Sequence, residues 1–101
     1  MLTASEARAK SQNDSVIFNE IRDIEDAVLT AVSAGSYEAT VTGTTMTGSM
    51  AYYNVWQGTV DDRAKFIQMG QVITYFTDLG YSIDRRTNSA TGNTFKWLVS
   101  W

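Results

Sequence analysis

The chain has 101 residues and a mass of 11.2 kDa, with 44% hydrophobic and 19% charged residues, which suits one globular domain. It contains no cysteine and no histidine, so disulfides, thiolate chemistry and histidine-based catalysis or metal binding are excluded. The net charge of −3 disfavours a nucleic-acid partner held by bulk electrostatics.

The first third of the chain predicts a long helix that ends at Gly35. Thr3 and Glu6 have the spacing of a capping box, which marks a helix start. One apolar stripe at helical period then consists of Ile17, Ile21, Ile24, Val28 and Val32. A single helix over residues 4–34 would be about 46 Å long, against a diameter of about 33 Å for a compact domain of this size. Residues 1–15 are therefore a candidate helical extension of one α+β domain over residues 1–101.

Short polar side chains crowd residues 11–15 of this helix. Because such side chains compete for backbone hydrogen bonds, a helix that breaks there is the alternative to one continuous helix.

The middle of the chain predicts a short strand, a loop and an aromatic segment. The strand covers residues 37–42. One of its faces carries Tyr37, Ala39 and Val41. Residues 43–50 show neither helical nor strand periodicity and are predicted to form an exposed loop. Residues 51–58 are apolar and aromatic, and we interpret them as a short strand or an irregular segment on the core.

A second helix is predicted from Thr59, as N-cap, to Gly80. Asp61 and Asp62 would lie in its first turn, where the helix dipole favours acidic side chains. Its apolar stripe consists of Phe66, Met69, Ile73 and Phe76, widened by Val72 and Leu79. Tyr81 is expected to pack back on Phe76 in a Schellman arrangement.

Two alternating segments, residues 81–86 and 94–101, predict a β-hairpin closed by the turn formers between them. The element order is α-β-(loop)-α-β-β. This order predicts an α+β two-layer sandwich, in which two helices cover one face of a small, mostly antiparallel sheet.

Candidate catalytic and ligand-binding motifs fail on their chemistry. The loop from Gly43 to Met50 resembles a phosphate-binding loop but lacks its lysine and the following helix. The acidic residues Asp23, Glu25 and Asp26 point to different faces of the first helix rather than across a cleft. Asp23 and Asp26 lie near Arg22 on its polar side and are expected to be solvated. We therefore predict no catalytic, cofactor or metal site, and a protein that is not an enzyme.

A stacking platform for single-stranded nucleic acid is a further alternative, because Arg85 and Arg86 precede a row of aromatic residues. This row consists of Phe95, Trp97 and Trp101. The two arginines alternate between opposite faces of a strand, and such a row usually packs on helices, so we expect it in the core.

A role in protein interaction is favoured by the three Trp, five Tyr and four Phe residues, since aromatic side chains are enriched in interfaces. Helices over one face of the sheet leave the other face uncovered, and an overhanging helix commonly docks on a neighbour. The predicted contact residues are Tyr52, Tyr53, Trp56, Thr45, Met46 and Leu98. An aromatic segment folded over the core would instead hide part of this surface.

Four segments carry a family resemblance. Residues 71–83 read QVITYFTDLGYSI and residues 91–101 read TGNTFKWLVSW, while residues 2–8 read LTASEAR and residues 53–58 read YNVWQG. Together they resemble small proteins of tailed phages that infect marine bacteria, cyanophages especially. The resemblance implies a phage structural or accessory protein, and it supplies no catalytic residues.

We therefore expect a non-enzymatic virion component, such as a decoration, neck or tail-associated subunit, made in the host cytoplasm. Its partners would be further copies of the chain or other virion proteins, without membrane or small-molecule ligand. The alternative is a small cytoplasmic phage regulator that binds a host protein or single-stranded nucleic acid.

Overall fold

A computed structural model describes the backbone of residues 4–101 and the side chains of residues 15–101. The elements in chain order are α1 (Ala4–Ser33), β1 (Glu38–Val41), α2 (Met50–Gln57), α3 (Arg63–Asp78), β2 (Ser82–Thr87) and β3 (Phe95–Ser100). β3 lies between β1 and β2 and is antiparallel to both. The α+β fold class and the β-hairpin are confirmed, and the expected N-cap at Thr3 lies outside the described residues.

The sheet has one covered face and one open face, because side chains alternate along each strand. Phe95, Trp97 and Val99 of β3 point to the covered face and are at most 1% exposed. The helices complete this core with Ile24, Val28, Tyr52, Val55, Met69, Val72 and Phe76. The helices therefore lie on a single face of the sheet, as the sequence predicts.

α1 is one uninterrupted helix, so of the two alternatives the structure has the continuous helix and no break at residues 11–15. Its 30 residues correspond to about 45 Å, and the longest dimension of the chain is 47 Å. Each short polar residue lowers helix propensity by only a few tenths of a kcal/mol, which is too little to end a helix between good helix formers. Among the described side chains, core contacts begin at Val16.

Residues 50–57 form a helix, α2, and the interpretation as a strand or irregular segment is wrong. Tyr52 and Val55, which are three residues apart, face the core. Gly58 ends the helix with φ +82°, and its N–H donates to the Val55 carbonyl at 3.2 Å. Aromatic residues favour strands in general, but packing against the core overrides this preference in so short a segment.

α3 begins later than predicted, because its N-cap is Asp62 rather than Thr59. The Asp62 carboxylate accepts the backbone N–H of Lys65 at 3.2 Å and pairs with Lys65 Nζ at 2.9 Å. Asp61 precedes the helix and is exposed. Since aspartate is a stronger N-cap than threonine, the later start is the better-capped one.

The predicted stripe of α3 is correct in its middle and wrong at both ends, because Phe66 is 57% exposed and Leu79 is 59% exposed. Met69, Val72 and Phe76 are buried, and Gln68 joins them. Tyr81 packs on Phe76 as predicted, with ring centroids 5.8 Å apart. Its N–H donates to the Phe76 carbonyl at 3.0 Å, which completes the Schellman motif around Gly80.

The two phenylalanines of α3 provide a matched test of this packing. We expect Phe76→Ala to lower the free energy of unfolding by about 3–5 kcal/mol, because it leaves a cavity in the core. Phe66→Ala should change the free energy by less than about 0.5 kcal/mol, since that ring is mostly exposed. Urea unfolding followed by circular dichroism measures both. If Phe76→Ala does not fold, Phe76→Leu should still be less stable than Phe66→Leu, and equal losses would contradict the assigned helix face.

The cap at Asp62 predicts a pH dependence. Its hydrogen bonds with Lys65 hold the pKa of Asp62 below its usual value. Because the folded-state pKa is depressed, this stabilisation is present above the unfolded pKa and is lost as pH falls through the folded pKa. In Asp62→Asn the amide oxygen still caps the helix but does not titrate.

We therefore expect the Tm of the natural chain to exceed that of Asp62→Asn at about pH 6, and this difference to shrink as the pH falls to about 2.5. Thermal unfolding across this range measures the difference, and Asp61→Asn is the neighbouring control. A difference that stays constant with pH would show that the Asp62 charge does not stabilise the helix.

Candidate functional site

Glu20 is a carboxylate on the core side of α1 with 0% of its surface exposed. Its Oε2 atom accepts hydrogen bonds from Thr44 Oγ1 at 2.5 Å and from Trp97 Nε1 at 2.8 Å. Its Oε1 atom accepts the Met46 backbone N–H at 3.3 Å. All these neighbours are donors, which suits a carboxylate that can only accept. We call these four residues the Glu20 cluster.

The turn after β1 supplies two of these donors. The Thr44 N–H donates to Thr47 Oγ1 at 2.8 Å, and the Thr47 N–H donates to Thr44 Oγ1 at 3.0 Å. Because the hydrogen of Thr44 Oγ1 goes to Glu20, Thr47 Oγ1 must donate in its 2.7 Å contact with Thr44 Oγ1. The Gly48 N–H closes the turn by donating to the Thr44 carbonyl oxygen at 2.8 Å. This position favours glycine, because a Cβ there would lie only 2.9 Å from the same oxygen.

The prediction of an exposed loop over residues 43–50 is therefore wrong for much of its length. Thr44, Met46 and Thr47 are buried, because the reciprocal threonine bonds and Glu20 satisfy the polar groups that would otherwise need water. Thr45 remains exposed at the tip of the turn. The Glu20 cluster joins α1, this turn and β3, and it gives the carboxylate no surface for a substrate.

The six predicted contact residues do not form one surface. Met46 is 0% exposed and Tyr52 is 7% exposed, so both belong to the core of the chain itself. Tyr53 and Trp56 are half-buried neighbours, with ring centroids 5.9 Å apart. Thr45 is exposed in the turn, and Leu98 is half-buried on the open face of the sheet.

Tyr52 is held in the core by a specific contact. Its hydroxyl donates to Gln68 Oε1 at 2.6 Å, and Lys65 Nζ lies 5.7 Å from the centre of its ring. Burial raises the pKa of the Tyr52 hydroxyl. The residue therefore joins α2 to α3, which is a role in packing rather than in contact with a partner.

Arg85 and Arg86 lie on opposite faces of the sheet, as the alternation predicts. The Arg85 guanidinium lies 5.6 Å from the centre of the Trp56 ring, and burial lowers its pKa. Arg86 lies on the open face and pairs with Asp84 at 3.4 Å. Phe95 and Trp97 are both 0% exposed, as expected for a row in the core, whereas Trp101 is 38% exposed. Two of the three aromatic residues are therefore closed to a stacked base.

A shallow apolar groove lies where the C-terminal ends of α1 and α3 meet the sheet. Pockets of about 160 Å³ and 120 Å³ share Leu79 and Tyr81 in their walls. The exposed fractions are 64% for Leu29, 52% for Val32, 59% for Leu79 and 38% for Trp101. We call these residues, with Tyr81, the C-terminal groove. Glu25 is the one charged residue that lines it among the described residues.

Asp23 and Asp26 are exposed on α1, as predicted, and Glu25 is exposed as well. Among the described side chains, those of residues 15–101, no three acidic groups gather where they could hold a metal ion. None of the helices described is both long enough and apolar enough to cross a membrane. No protein-family model, no curated protein and no solved structure matches the chain.

The sequence contains a signal for the Glu20 cluster but none for the C-terminal groove. Glu20 follows Ile17 by three residues and precedes Ile24 by four, so it lies on the apolar stripe, which is an unusual place for a carboxylate. This spacing is a signal for a buried acid, although its donors are distant in sequence. Leu29 and Leu79 carry no such signal, because their proximity depends on how α1 crosses α3.

The Glu20 cluster predicts a large effect from a minimal change. Glu20→Gln keeps the shape but replaces one acceptor oxygen with an NH₂ group, which leaves a buried donor without an acceptor. We expect the free energy of unfolding to fall by about 1–3 kcal/mol, and to fall further in Glu20→Ala. Chemical denaturation followed by tryptophan fluorescence measures the loss. Glu25→Gln, at an exposed position of the same helix, is the control, and equal stability of all three variants would contradict the cluster.

Proposed function

We propose that the chain is a non-enzymatic phage structural protein that acts by protein–protein assembly, as a virion component such as a decoration, neck or tail-associated subunit. The C-terminal groove is the observation that carries this proposal. It would bind an apolar segment of another virion protein.

The composition of the groove supports protein binding. Four of its side chains expose more than a third of their surface, and they lie next to one another on one side of the domain. Exposed apolar surface of this kind marks interaction sites more often than single exposed residues do. Tyr81 and Trp101 contribute aromatic rings with centroids 6.3 Å apart, and such residues commonly anchor interfaces.

The phage origin is supported by the sequence resemblance, which includes the residues of the groove from Leu79 to Tyr81 and Trp101. The buried position of Glu20 supports a non-enzymatic role, since its carboxylate is saturated with hydrogen bonds and closed to substrates. The burial of Phe95 and Trp97 weighs against the alternative regulator in its nucleic-acid-binding form.

Mass spectrometry of purified particles tests the virion role. Particles of a phage that encodes the chain are purified by density-gradient centrifugation. The amount of the chain's peptides is then measured relative to the major capsid protein. Detection at a stoichiometric level supports the proposal. Absence from the particles, with the chain present in the infected-cell lysate, would overturn it and favour the cytoplasmic regulator.

The groove predicts which surface makes the contact. We expect the double variant Leu29→Lys and Leu79→Lys to lose at least about tenfold in affinity for particles that lack the chain, because two charges enter an apolar contact. Both side chains are mostly exposed, so the variant should fold with near-natural stability. Co-sedimentation of the purified chain with particles measures binding. Phe66→Lys, at an exposed apolar residue elsewhere on α3, is the control, and an equal loss in both would refute the groove as the contact.

A further inference from the structure

The outer edge of β1 presents backbone groups that pair with no other strand of the described residues. β1 pairs with β3 in a register that sets Glu38 opposite Ser100 and Thr40 opposite Leu98. The same register sets Tyr37 opposite Trp101, and the Trp101 N–H donates to the Tyr37 carbonyl at 3.0 Å. Since hydrogen-bonded and non-bonded pairs alternate in antiparallel sheets, the N–H and C=O groups of Glu38 and Thr40 point away from β3.

The outer edge of β2 is protected by contrast. The Asn88 N–H donates to the Thr94 carbonyl at 2.9 Å, so the outward backbone groups of β2 belong to Ile83, Arg85 and Thr87. The Arg85 N–H at the centre of this edge donates to Asp84 Oδ1 at 2.8 Å. A carboxylate therefore occupies the position that an added strand would need, which is a known way to block edge pairing.

β1 has a sequence that can pair with itself. Placed antiparallel about a two-fold axis through Thr40, two copies of β1 set Thr40 opposite Thr40 and Glu38 opposite Thr42, so no like charges face each other. On the covered face Ala39 lies opposite Val41, which continues the apolar core. We infer that β1 binds β1 of a second copy of this chain, joining two sheets into one six-stranded antiparallel sheet.

The side chains around this edge fit the inferred pairing. Tyr37 is the most exposed large hydrophobic side chain among the described residues, at 78%, and it flanks β1 at the end that the second copy would cover. Pairing through one edge, with the other edge capped, produces a closed dimer and not a fibre. The inference uses none of the observations that support the virion role, so either can fail without the other.

The inferred β1–β1 register predicts opposite effects of a lysine at two threonines on the same face of the strand, Thr40 and Thr42. Thr40→Lys places two like charges face to face on the axis and should weaken the dimer by about two- to fivefold. Thr42→Lys places a lysine opposite Glu38 twice in each dimer and should strengthen it about threefold at low salt, an effect that high salt removes. Sedimentation equilibrium of the purified full chain at up to about millimolar concentration measures both. Ser82→Lys, on the open face of β2, is the control and should leave the dimer unchanged.

Thr40→Pro provides a second variant. It removes the outward N–H of Thr40, and the bonds between β1 and β3 do not use that group. The variant should keep the circular dichroism spectrum of the natural chain and weaken the dimer at least about tenfold, because two central hydrogen bonds are lost.

Hydrogen exchange reports the edge directly. Exchange of the Thr40 amide should slow as protein concentration rises, while exchange of the Ile83 amide should not change. A chain that stays monomeric at millimolar concentration would overturn the inference. Equal weakening of the dimer by Thr40→Lys and Thr42→Lys would also overturn the inference. So would a dimer in which the Ile83 amide, rather than the Thr40 amide, is protected from exchange.

Discussion

The fold depends on burying the Glu20 carboxylate, which is held by hydrogen bonds and forms no ion pair with any described side chain. A buried charge is costly unless hydrogen bonds replace the lost water, and here a hydroxyl, a backbone amide and an indole N–H all point at it. These donors come from the turn after β1 and from the centre of β3. Their positions are therefore fixed relative to α1, because a shift of any one of them leaves a buried polar group without its partner.

This constraint explains why the 43–49 turn is folded inward. A run of threonine, glycine and serine has little apolar surface, so it has no reason of its own to enter a core. Thr44 and Thr47 satisfy each other's backbone amides, and Glu20 takes the remaining hydroxyl hydrogen. Met46 can then lie fully buried between α1 and the sheet. The polar network and the apolar core stabilise the same arrangement of elements.

Local signals in the sequence were enough for the parts of the fold that neighbouring residues determine. The Schellman motif at Gly80, the packing of Tyr81 on Phe76 and the hairpin of β2 and β3 all follow from residues close together in the chain. The turn at Thr44, the helical state of residues 50–57 and the burial of Tyr52 did not follow. Each depends on a partner more than fifteen residues away, such as Glu20 for Thr44 and Gln68 for Tyr52.

The candidate contact surface was harder to predict for the same reason. Aromatic content predicts an exposed contact surface beside two helices, but a third helix, α2, is present and buries Tyr52. Aromatic content could not indicate which side chains remain outside, because exposure depends on crossing geometry. Leu79 belongs to the predicted stripe of α3 and Leu29 to no predicted stripe, yet both are mostly exposed and line the same pocket.

The two edges of the sheet show how a small domain of this kind can associate without aggregating. A three-stranded sheet has two edges, and both would be open to further strands if nothing covered them. On β2 the Asp84 carboxylate occupies the outward amide of Arg85 and also pairs with Arg86, so the protecting group is itself held in place. On β1 no such group is present among the described residues, and the exposed strand is only 4 residues long. A short edge limits how tightly a second strand can bind, which favours a reversible contact over an irreversible one. Association through β1 would leave the C-terminal groove to a different partner, since the groove is formed by the ends of α1 and α3 and by the strand end at Trp101.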